Sequence, residues 1–234
     1  MPELSTRSTQ KEIMDDPHAP EKELWQNLRE LEVINDRLGG YKVILNALSK
    51  LKLPQPMSII DIGSGGGDTL RSIAKWAKKS RQHVALTGID LNPVMTKYAE
   101  EHSKQYPEIN YLTSNIFDSQ LDNMHADVVT CSLFCHHFTH SELVLLLKRM
   151  YTLSDKYVIV NDLHRHWLAY HSIRILTKFF SKTYVVKNDA PLSVARAFVR
   201  ADWEQIMKDA DITNYSVKWF WAFRWQVIIS ETKS

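Results

Sequence analysis

The chain of 234 residues carries 29 lysines and arginines against 27 aspartates and glutamates, and 44% of its residues are hydrophobic. These values are typical of a single globular domain with a sizeable core, and they exclude a predominantly disordered chain. No apolar run approaches the roughly 18 residues of a membrane span, and the first 23 residues lack the apolar core of a signal peptide. We therefore expect a cytoplasmic protein.

The chain is predicted to begin with a flexible tail followed by helices. Residues 1–20 combine Ser, Thr, Pro and mixed charge without periodicity, which is typical of a flexible tail. Apolar residues at helical spacing predict N-terminal helices over 21–52, interrupted at Gly39 and Gly40. We expect a single domain to span 21–234.

Short apolar runs alternate with helical stretches in the middle of the chain. The predicted strands are Met57–Ile62, Val84–Ile89, Ile109–Leu112, Asp127–Ser132 and Tyr157–Val160, and the predicted helices are Asp68–Lys79, Pro93–Gln105, His140–Leu153 and Asp202–Ala210. Such alternation predicts a parallel sheet with helices on both faces. The aromatic-rich C-terminal stretch predicts two antiparallel strands at one edge. The predicted fold class is α/β, a doubly wound, mostly parallel seven-stranded sheet with a C-terminal antiparallel hairpin.

A glycine-rich turn follows the first predicted strand. Gly63 and Gly65–Gly67 lie where open α/β sheets bind ligands, and glycine allows a ligand to approach the backbone or φ to become positive. A dinucleotide fingerprint would need glycine at one of the positions that hold Asp68 and Leu70, and the turn lacks the lysine of a phosphate-binding loop. An aspartate at a helix N-terminus would also repel a pyrophosphate. The turn therefore predicts a ligand without a pyrophosphate.

Two aspartates lie at the ends of the first two predicted strands. The carboxylate of Asp61 can attract an ammonium group or accept a hydrogen bond, and Asp90, 29 residues later, can accept hydrogen bonds from a ribose diol. For one aspartate alone, a role in capping a turn or helix is the more common alternative. The pair beside four glycines instead predicts a ligand with a ribose and a positive amine, which describes S-adenosylmethionine.

Four stretches carry a resemblance to a known family. "DIGSGGG" fits a D/E-x-G-x-G-x-G loop, "GIDLNP" an acidic ribose motif, and "ADVVTCSLFCHHF" a fourth-strand motif, while "LTSNIFD" has Asn115 where an acidic residue near the adenine is usual. These motifs resemble the class I S-adenosylmethionine-dependent methyltransferases, in the small-molecule branch of quinone and polyketide enzymes. The resemblance implies a Rossmann-like fold and an S-adenosyl-L-methionine site formed by Asp61, Gly63, Ser64, Gly65, Gly67, Asp90, Leu91, Asn115, Ile116 and Ser132.

Histidines follow the fourth and fifth predicted strands at the same edge of the sheet. Methylation of a hydroxyl requires loss of its proton, and a histidine near neutral pKa can accept that proton. We prefer His137 as the catalytic base, with His136 and His164 as the alternative catalytic residues and His166 as a further rival. Packing or helix capping is the structural alternative for each of them.

Cysteines and histidines between residues 131 and 140 resemble a metal site in composition only. Structural zinc usually requires a second ligand pair well downstream, and the chain has no cysteine besides Cys131 and Cys135. A thiol within a buried strand behaves as a small apolar group. We therefore expect no metal.

The segment 163–200 is longer than a plain crossover and is predicted to be a helical insert that forms a substrate lid. Its apolar residues cover more than one helix face, and its seven Lys/Arg against one Asp give a local charge of +6. A basic, aromatic-rich insert suits a lipophilic or anionic substrate, or transient contact with a membrane surface, whereas a solvated face is the alternative. No nucleic-acid partner is expected, because no RNA-binding module is appended.

These features predict an S-adenosylmethionine-dependent methyltransferase acting on a small-molecule substrate, a lipophilic or aromatic acceptor, with O-methylation favoured over C-methylation. One alternative is an RNA or protein methyltransferase, although the N-P-P-Y-like signature of amino-group methylation is absent after the fourth strand. The other is a non-catalytic cofactor-binding module, against which the intact Asp61 and the glycines argue.

Overall fold

One seven-stranded sheet organises the part of the chain that the computed structural model describes, residues 4–16 and 19–230. The strands are β1 (Met57–Ile62), β2 (Val84–Asp90), β3 (Ile109–Thr113), β4 (Ala126–Ser132), β5 (Ser154–Leu163), β6 (Tyr215–Phe220) and β7 (Arg224–Ser230). The helices are α1 (Glu21–Arg37), α2 (Gly40–Leu48), α3 (Asp68–Ser80), α4 (Pro93–Ser103), α5 (His140–Leu153), α6 (Trp167–Phe180), α7 (Tyr184–Arg196) and α8 (Arg200–Asp209). Strands β1 to β5 are parallel, and β7 is antiparallel to both of its neighbours, β5 and β6. The strand order is β3-β2-β1-β4-β5-β7-β6, which confirms the predicted fold class.

The alternation of side chains along the strands explains why helices cover both faces of the sheet. Ile59 pairs with Val128, and both belong to the core that α2 and α3 complete. Ile60 pairs with Val129, one position further, and both belong to the core that α5 and α8 complete. Because successive strand residues point to opposite faces, a central strand buried on both faces is apolar at nearly every position.

The strand order reverses at β1, which lies between β2 and β4. In open α/β sheets a crevice forms at such a reversal, outside the carboxyl ends of the strands. The backbone N–H of Gly63 donates a hydrogen bond of 2.8 Å to the carbonyl of Ile89, which ties the turn after β1 to the end of β2. The glycine-rich turn therefore lies at the edge where a ligand is expected.

Strand β5 continues beyond its predicted end at Val160. Antiparallel β7 supplies a pairing partner for the extra residues, so that Asp162 pairs with Trp225 and Leu163 pairs with Arg224. Sequence alternation alone did not indicate this extension, because the polar residues of β5 are stabilised by a partner strand more than sixty positions later. The extension carries Asp162 to the same edge as the glycine-rich turn.

The insert forms two helices, α6 and α7, that pack against each other. An isolated parallel bridge between His164 and Phe198 joins the beginning and end of the segment. Its predicted role as a lid stays a prediction, although both helices contribute to the cavity described below. Among the described helices, none combines the length and the apolar character that crossing a bilayer would require.

Residues 4–16, which belong to the predicted flexible tail, pack along the same edge of the sheet. The Arg7 guanidinium donates hydrogen bonds of 2.8 Å to the carbonyls of Arg196 and Phe138, and Glu12 is only 4% exposed. No periodicity indicated these contacts, because single side chains make them and not a repeated face. Residues 1–3 and 17–18 of the predicted tail lie outside the described residues.

Candidate active site

Three glycines of the turn after β1 adopt positive φ, for two different reasons. A Cβ at Gly63 would lie 2.2 Å from the Phe134 ring, and a Cβ at Gly67 would lie 2.1 Å from the Tyr111 hydroxyl. At Gly65, with a φ of +50°, a Cβ would meet nothing within 4 Å. Gly63 and Gly67 therefore allow the turn to pack closely, whereas Gly65 leaves open space that a ligand can enter.

Asp61 presents a buried carboxylate that is incompletely satisfied. Its side chain is 2% exposed, and its Oδ1 has no hydrogen-bond partner among the described residues. Burial raises the pKa of Asp61, and the nearby carboxylates of Asp68 and Asp90 raise it further. A cation or hydrogen-bond donor beside this oxygen would offset the cost of its desolvation, so the residue fits the predicted cationic ligand.

Asp90 organises the turn and also lines the crevice. Its Oδ2 accepts a hydrogen bond of 2.8 Å from the N–H of Gly65, and its Oδ1 accepts one of 2.9 Å from the N–H of Asn92. Burial raises the pKa of Asp90, and these two hydrogen bonds act in the opposite direction. Each carboxylate oxygen retains a further lone pair, so the turn-capping role and the predicted ribose role are compatible.

A cavity of about 440 Å³ lies over this edge, and a second one of about 350 Å³ adjoins it. The predicted cofactor residues that line the larger of these two cavities are Asp61, Gly63, Ser64, Gly65, Asp90, Leu91 and Ser132. Asn115 and Ile116 line the adjoining cavity together with the half-exposed Phe117. Of the predicted cofactor residues, only Gly67 lies in neither wall, because it shapes the turn from behind.

The side-chain carbonyl of Asn115 already has one donor. It accepts a hydrogen bond of 3.0 Å from the N–H of Phe117, while the N–H of Asn115 donates one of 2.9 Å to Asp118. This turn places Asn115 beside the apolar surface of Ile116 and Phe117. The flat face of an aromatic ring such as adenine suits that surface, and the Asn115 carbonyl retains one lone pair for the adenine amino group.

A largely apolar cavity of about 310 Å³ lies on the other side of the first cavity. We call it the acceptor cavity, and the larger cavity over the glycine turn the cofactor cavity. Apolar side chains of α1, α6 and the turn before β7 line the acceptor cavity, among them Ile34, Leu38, Ile173, Leu176 and Trp221. Five residues line both cavities, namely Met14, Leu31, Asn35, Leu133 and His137. Two ligands can therefore meet across this shared wall.

His136 lies between two buried carboxylates. Its Nδ1 is 2.8 Å from Asp162 Oδ1, its Nε2 is 3.5 Å from Glu12 Oε1, and its side chain is 3% exposed. Burial lowers the pKa of His136, but the two carboxylates outweigh burial and raise it to about 10. The same pairing holds the pKa values of Asp162 and Glu12 below their ordinary range despite burial. His136 is therefore a charged imidazolium at neutral pH, and this state does not suit a proton acceptor.

His137 is the predicted histidine that reaches the cofactor cavity. It lines both cavities, and its side chain is 18% exposed. Its Nδ1 lies 2.8 Å from Asp15 Oδ1, at ion-pair distance although without hydrogen-bond angles. Burial raises the pKa of Asp15, but His137 and the N–H of Glu12 lower it overall, so the carboxylate stays charged beside the imidazole. This arrangement orients His137 at the boundary between the two cavities.

His164 is not brought to the site. Its Nδ1 accepts a hydrogen bond of 3.2 Å from Trp219 Nε1, and its ring centroid lies 5.0 Å from that of Trp225. Burial lowers the pKa of His164, and the residue lines neither cavity. The predicted catalytic role of His164 therefore has no support from the geometry.

Glu12, His136 and His137 form the set of potential metal ligands found among the described residues, with ligand atoms within 4.8 Å of one another. Each imidazole already has a carboxylate oxygen 2.8 Å away, and Arg196 lies 3.9 Å from Glu12, so contacts among these side chains are sufficient to explain the cluster. The two cysteines of the sequence cluster are buried in the core, with sulfur atoms 3.5 Å apart. They contribute no ligand to the set.

Three charged residues of the site were not predicted from the sequence: Glu12, Asp15 and Arg224. The first two lie in the segment predicted to be a flexible tail, and their partners are more than a hundred positions away. Arg224 begins β7 and is 2% exposed in the wall of the acceptor cavity. A single arginine between aromatic residues and an apolar strand was the available signal for this residue.

Comparisons with known proteins agree with this geometry. Residues 59–156 match a protein family described as a methyltransferase domain. No curated protein matches the chain. The match runs from within β1 to the first residues of β5 and includes the glycine-rich turn, Asp61, Asp90 and the histidine pair.

Solved methyltransferase structures share the fold over nearly the whole chain. Magnesium protoporphyrin IX methyltransferase from Synechocystis, with bound SAH, is 15% identical, and the match covers 85% of this chain and 84% of that one with a TM-score of 0.57. A SAM-dependent methyltransferase from Aquifex aeolicus is 17% identical, with 88% and 97% covered and a TM-score of 0.61. The plantazolicin methyltransferase BpumL, in complex with SAH, is 18% identical, with 91% and 95% covered and a TM-score of 0.63.

Proposed function

We propose that this chain is an S-adenosylmethionine-dependent methyltransferase. It transfers the methyl group of the cofactor to a small lipophilic acceptor held in the acceptor cavity. The observation that carries the proposal is the shared wall, because five residues line both the cofactor cavity and an apolar compartment beside it. A cavity of about 310 Å³ with mainly apolar walls suits a small molecule. An RNA or protein acceptor would need a more open and more polar surface.

The residues of the glycine turn have defined tasks in this scheme. Asp61 would hold the cationic part of the cofactor, and Asp90 would accept hydrogen bonds from its ribose, while the space beside Gly65 admits it close to the backbone. S-adenosylmethionine supplies an electrophilic methyl group. The protein therefore contributes mainly alignment of the two ligands and exclusion of water by the apolar wall.

We further propose O-methylation with His137 as the base. His137 stands at the boundary of the two cavities, and the Asp15 carboxylate beside its Nδ1 favours a tautomer with Nε2 free to accept a proton. His136 supports this arrangement as a cation at neutral pH, anchored by Glu12 and Asp162. Proton removal from a hydroxyl beside the methyl donor is the step that a neutral imidazole performs.

Calorimetry with S-adenosylmethionine and its demethylated product tests the cofactor part of the proposal. We expect micromolar dissociation constants, equivalent to about 8 kcal/mol of binding free energy. Mass spectrometry of extracts from gene-deleted and parent cells, searched for pairs that differ by one methyl group, then identifies the acceptor. Absence of heat and of a thermal shift in folded protein would end the assignment.

A matched pair of α6 variants tests the acceptor part. Leu176→Trp should fill the acceptor cavity and abolish methylation of the identified acceptor, because Leu176 lines that cavity. Leu168→Trp, at an exposed position of the same helix, should leave methylation unchanged. Both variants should bind the cofactor like the parent protein. Equal methylation by the two variants would exclude this cavity as the acceptor site.

A further inference from the structure

Arg224 is a buried cation with unused donors in the wall of the acceptor cavity. Its Nη2 donates a hydrogen bond of 3.0 Å to Asn35 Oδ1, whereas Nε and Nη1 have no partner among the described residues. The residue is 2% exposed and forms no ion pair with any described carboxylate within 4.0 Å. Burial lowers the pKa of Arg224 to about 10, which leaves the guanidinium charged at neutral pH.

The surroundings position this guanidinium, and the charges of Asp162 and Asp68 raise its pKa against the effect of burial, although neither carboxylate reaches ion-pair distance. A Cβ at Gly40 would lie 3.1 Å from Nη2, so the glycine at the start of α2 leaves room for the side chain. The pairing of Arg224 with Leu163 fixes its backbone in the sheet. Asn35, which accepts its hydrogen bond, lines both cavities, so the guanidinium lies close to the shared wall.

An unpaired buried charge is costly, and the cost is removed when an opposite charge binds. Guanidinium groups favour oxyanions, with which they form charge-assisted hydrogen bonds. Since the proposed function assigns this cavity to the acceptor, we infer that the acceptor carries an oxygen anion, a carboxylate or phenolate, that pairs with the free donors of Arg224. The apolar wall then holds the remainder of the molecule, so the acceptor is an anionic amphiphile.

Two probes of equal chain length test this inference in the full-length protein saturated with the demethylated cofactor. Decanoate carries the oxygen anion and decanol does not, so calorimetry should show decanoate binding at least about tenfold more tightly. Arg224→Gln should remove that preference, and Arg224→Lys should retain part of it. Arg200→Gln, which changes an exposed arginine on α8, should leave the preference intact.

Equal binding of the two probes to the parent protein would overturn the inference, as would an Arg224→Gln variant that still prefers decanoate. If Arg224→Gln does not fold, the comparison in the parent protein decides alone. Failure of decanoate to bind also overturns it. Calorimetry with the cofactor and methylation of the identified acceptor do not depend on this preference, so the proposed function would stand or fall separately.

The outward face of α6 supports a second, independent inference. Trp167, Ile175, Phe179 and Phe180 are between 59% and 79% exposed on this helix, and Trp221 in the turn before β7 is 67% exposed. The exposed cations around them are Arg174, Lys178, Lys182 and Lys187, and none forms an ion pair with a described residue. Trp221 also lines the acceptor cavity, so this aromatic and basic face adjoins the cavity.

We propose that this face docks on an anionic lipid membrane. Exposed aromatic and aliphatic side chains insert into the interfacial region of a bilayer, and unpaired lysines are attracted to anionic headgroups. The opposite side of α6 lines the acceptor cavity through Ile173 and Leu176. A docked protein would therefore place the mouth of the cavity at the bilayer surface, where an anionic amphiphile resides.

Sedimentation with lipid vesicles tests this docking without any acceptor. The protein should bind vesicles of phosphatidylcholine that contain about one-third phosphatidylglycerol, and it should not bind vesicles of phosphatidylcholine alone. High salt should abolish the binding. Phe179→Ser/Phe180→Ser should weaken vesicle binding at least about tenfold. Lys178→Glu/Lys182→Glu should weaken it by more than about fivefold for each lysine.

Matched substitutions elsewhere on the surface serve as controls. Leu112→Ser on the edge strand β3 and Lys75→Glu/Lys79→Glu on α3 alter exposed residues and should bind vesicles like the parent protein. Equal losses in these controls, or no vesicle binding at all, would overturn the proposal. One alternative outcome is that the parent protein forms a concentration-dependent dimer and does not bind vesicles. If the Phe179→Ser/Phe180→Ser variant is then monomeric, the face is assigned to a second copy of the chain.

Discussion

The cofactor cavity and the acceptor cavity share a wall but are built in different ways. The cofactor cavity is shaped by the turn after β1 and the end of β2, through backbone amides, positive φ angles and two carboxylates. The acceptor cavity combines side chains from residues 4–16, α1, α6, α7 and the turn before β7. The backbone geometry of the turn requires particular residue types at fixed spacings in the sequence. An apolar cavity wall requires only apolar side chains of suitable size, which can come from distant parts of the chain. The first kind of site is therefore local in sequence and the second is not.

The largest effect should come from the boundary between the cavities. His137→Ala should slow methyl transfer by roughly 10²–10⁴-fold, because the general base is lost. Cofactor affinity, measured by calorimetry, should change little, and His164→Ala should retain the parent rate because His164 lines neither cavity. A near-parent rate for His137→Ala would show that alignment alone supports transfer to an already nucleophilic acceptor.

Removal of His136 should affect stability in a pH-dependent way. Its pKa of about 10 in the folded protein lies above its ordinary value of 6.5, so the pairing stabilises fully below about pH 6.5 and is lost as pH rises through 10. His136→Gln should lower the free energy of unfolding by about 3–5 kcal/mol at neutral pH, because two buried carboxylates lose their cation. Urea unfolding at a series of pH values should show the difference from the parent narrowing towards pH 10. A difference independent of pH would contradict the charged imidazolium.

Two glycine substitutions should separate packing from ligand approach. Gly63→Ala should lower the free energy of unfolding by about 2–4 kcal/mol, because its methyl group would collide with Phe134 and its φ is positive. Gly65→Ala should lower the free energy of unfolding by only about 1 kcal/mol, through backbone strain. It should weaken cofactor binding, because the added methyl group enters the open space. Thermal unfolding and calorimetry measure the two effects. Similar stability losses in both variants would refute this division of roles.

The smallest effect concerns the ribose. Asp90→Ala should weaken cofactor binding by about 1.5–3 kcal/mol, because charge-assisted hydrogen bonds are lost. Asp68→Ala should weaken cofactor binding less than Asp90→Ala does. It should lower the free energy of unfolding by about 1 kcal/mol, because Asp68 accepts a hydrogen bond of 2.8 Å from Tyr41. Calorimetry on both variants is the measurement. Loss of binding in Asp68→Ala alone would reverse the two assignments.

The sheet and the crevice at its carboxyl edge could be predicted from the sequence because their signals are local. The apolar runs marked β1 to β4 closely, and Asp61 and Asp90 were selected as candidates because they lie at the ends of strands. The surroundings of His136 were not accessible, because its partners Glu12 and Asp162 lie 124 positions before it and 26 positions after it. The adjacent residue, His137, has nearly the same sequence environment, and only the three-dimensional contacts distinguish the imidazolium of His136 from the histidine at the boundary of the two cavities.

Arg224 shows the same limit for the acceptor cavity. Its position at the start of β7 was close to the predicted break in the C-terminal strands, but the burial of its guanidinium depends on room left by Gly40 and on the hydrogen bond that it donates to Asn35 of α1. A buried arginine and an exposed one are indistinguishable in a single sequence. The same holds for α6, whose apolar residues are divided between a cavity wall and an outer face only by the packing of α7.

The shared wall also has a thermodynamic consequence. If binding of the methyl donor shifts Leu31, Asn35 or His137, the affinity for the acceptor changes by some factor, and linkage requires the acceptor to change the affinity for the donor by that same factor. The demethylated product occupies the same compartment as the donor, so it should retain much of this cooperativity while lacking the group to be transferred. Acceptor candidates are therefore best screened against protein saturated with the demethylated product. An unreactive ternary complex can then accumulate, and its affinity can be measured without turnover.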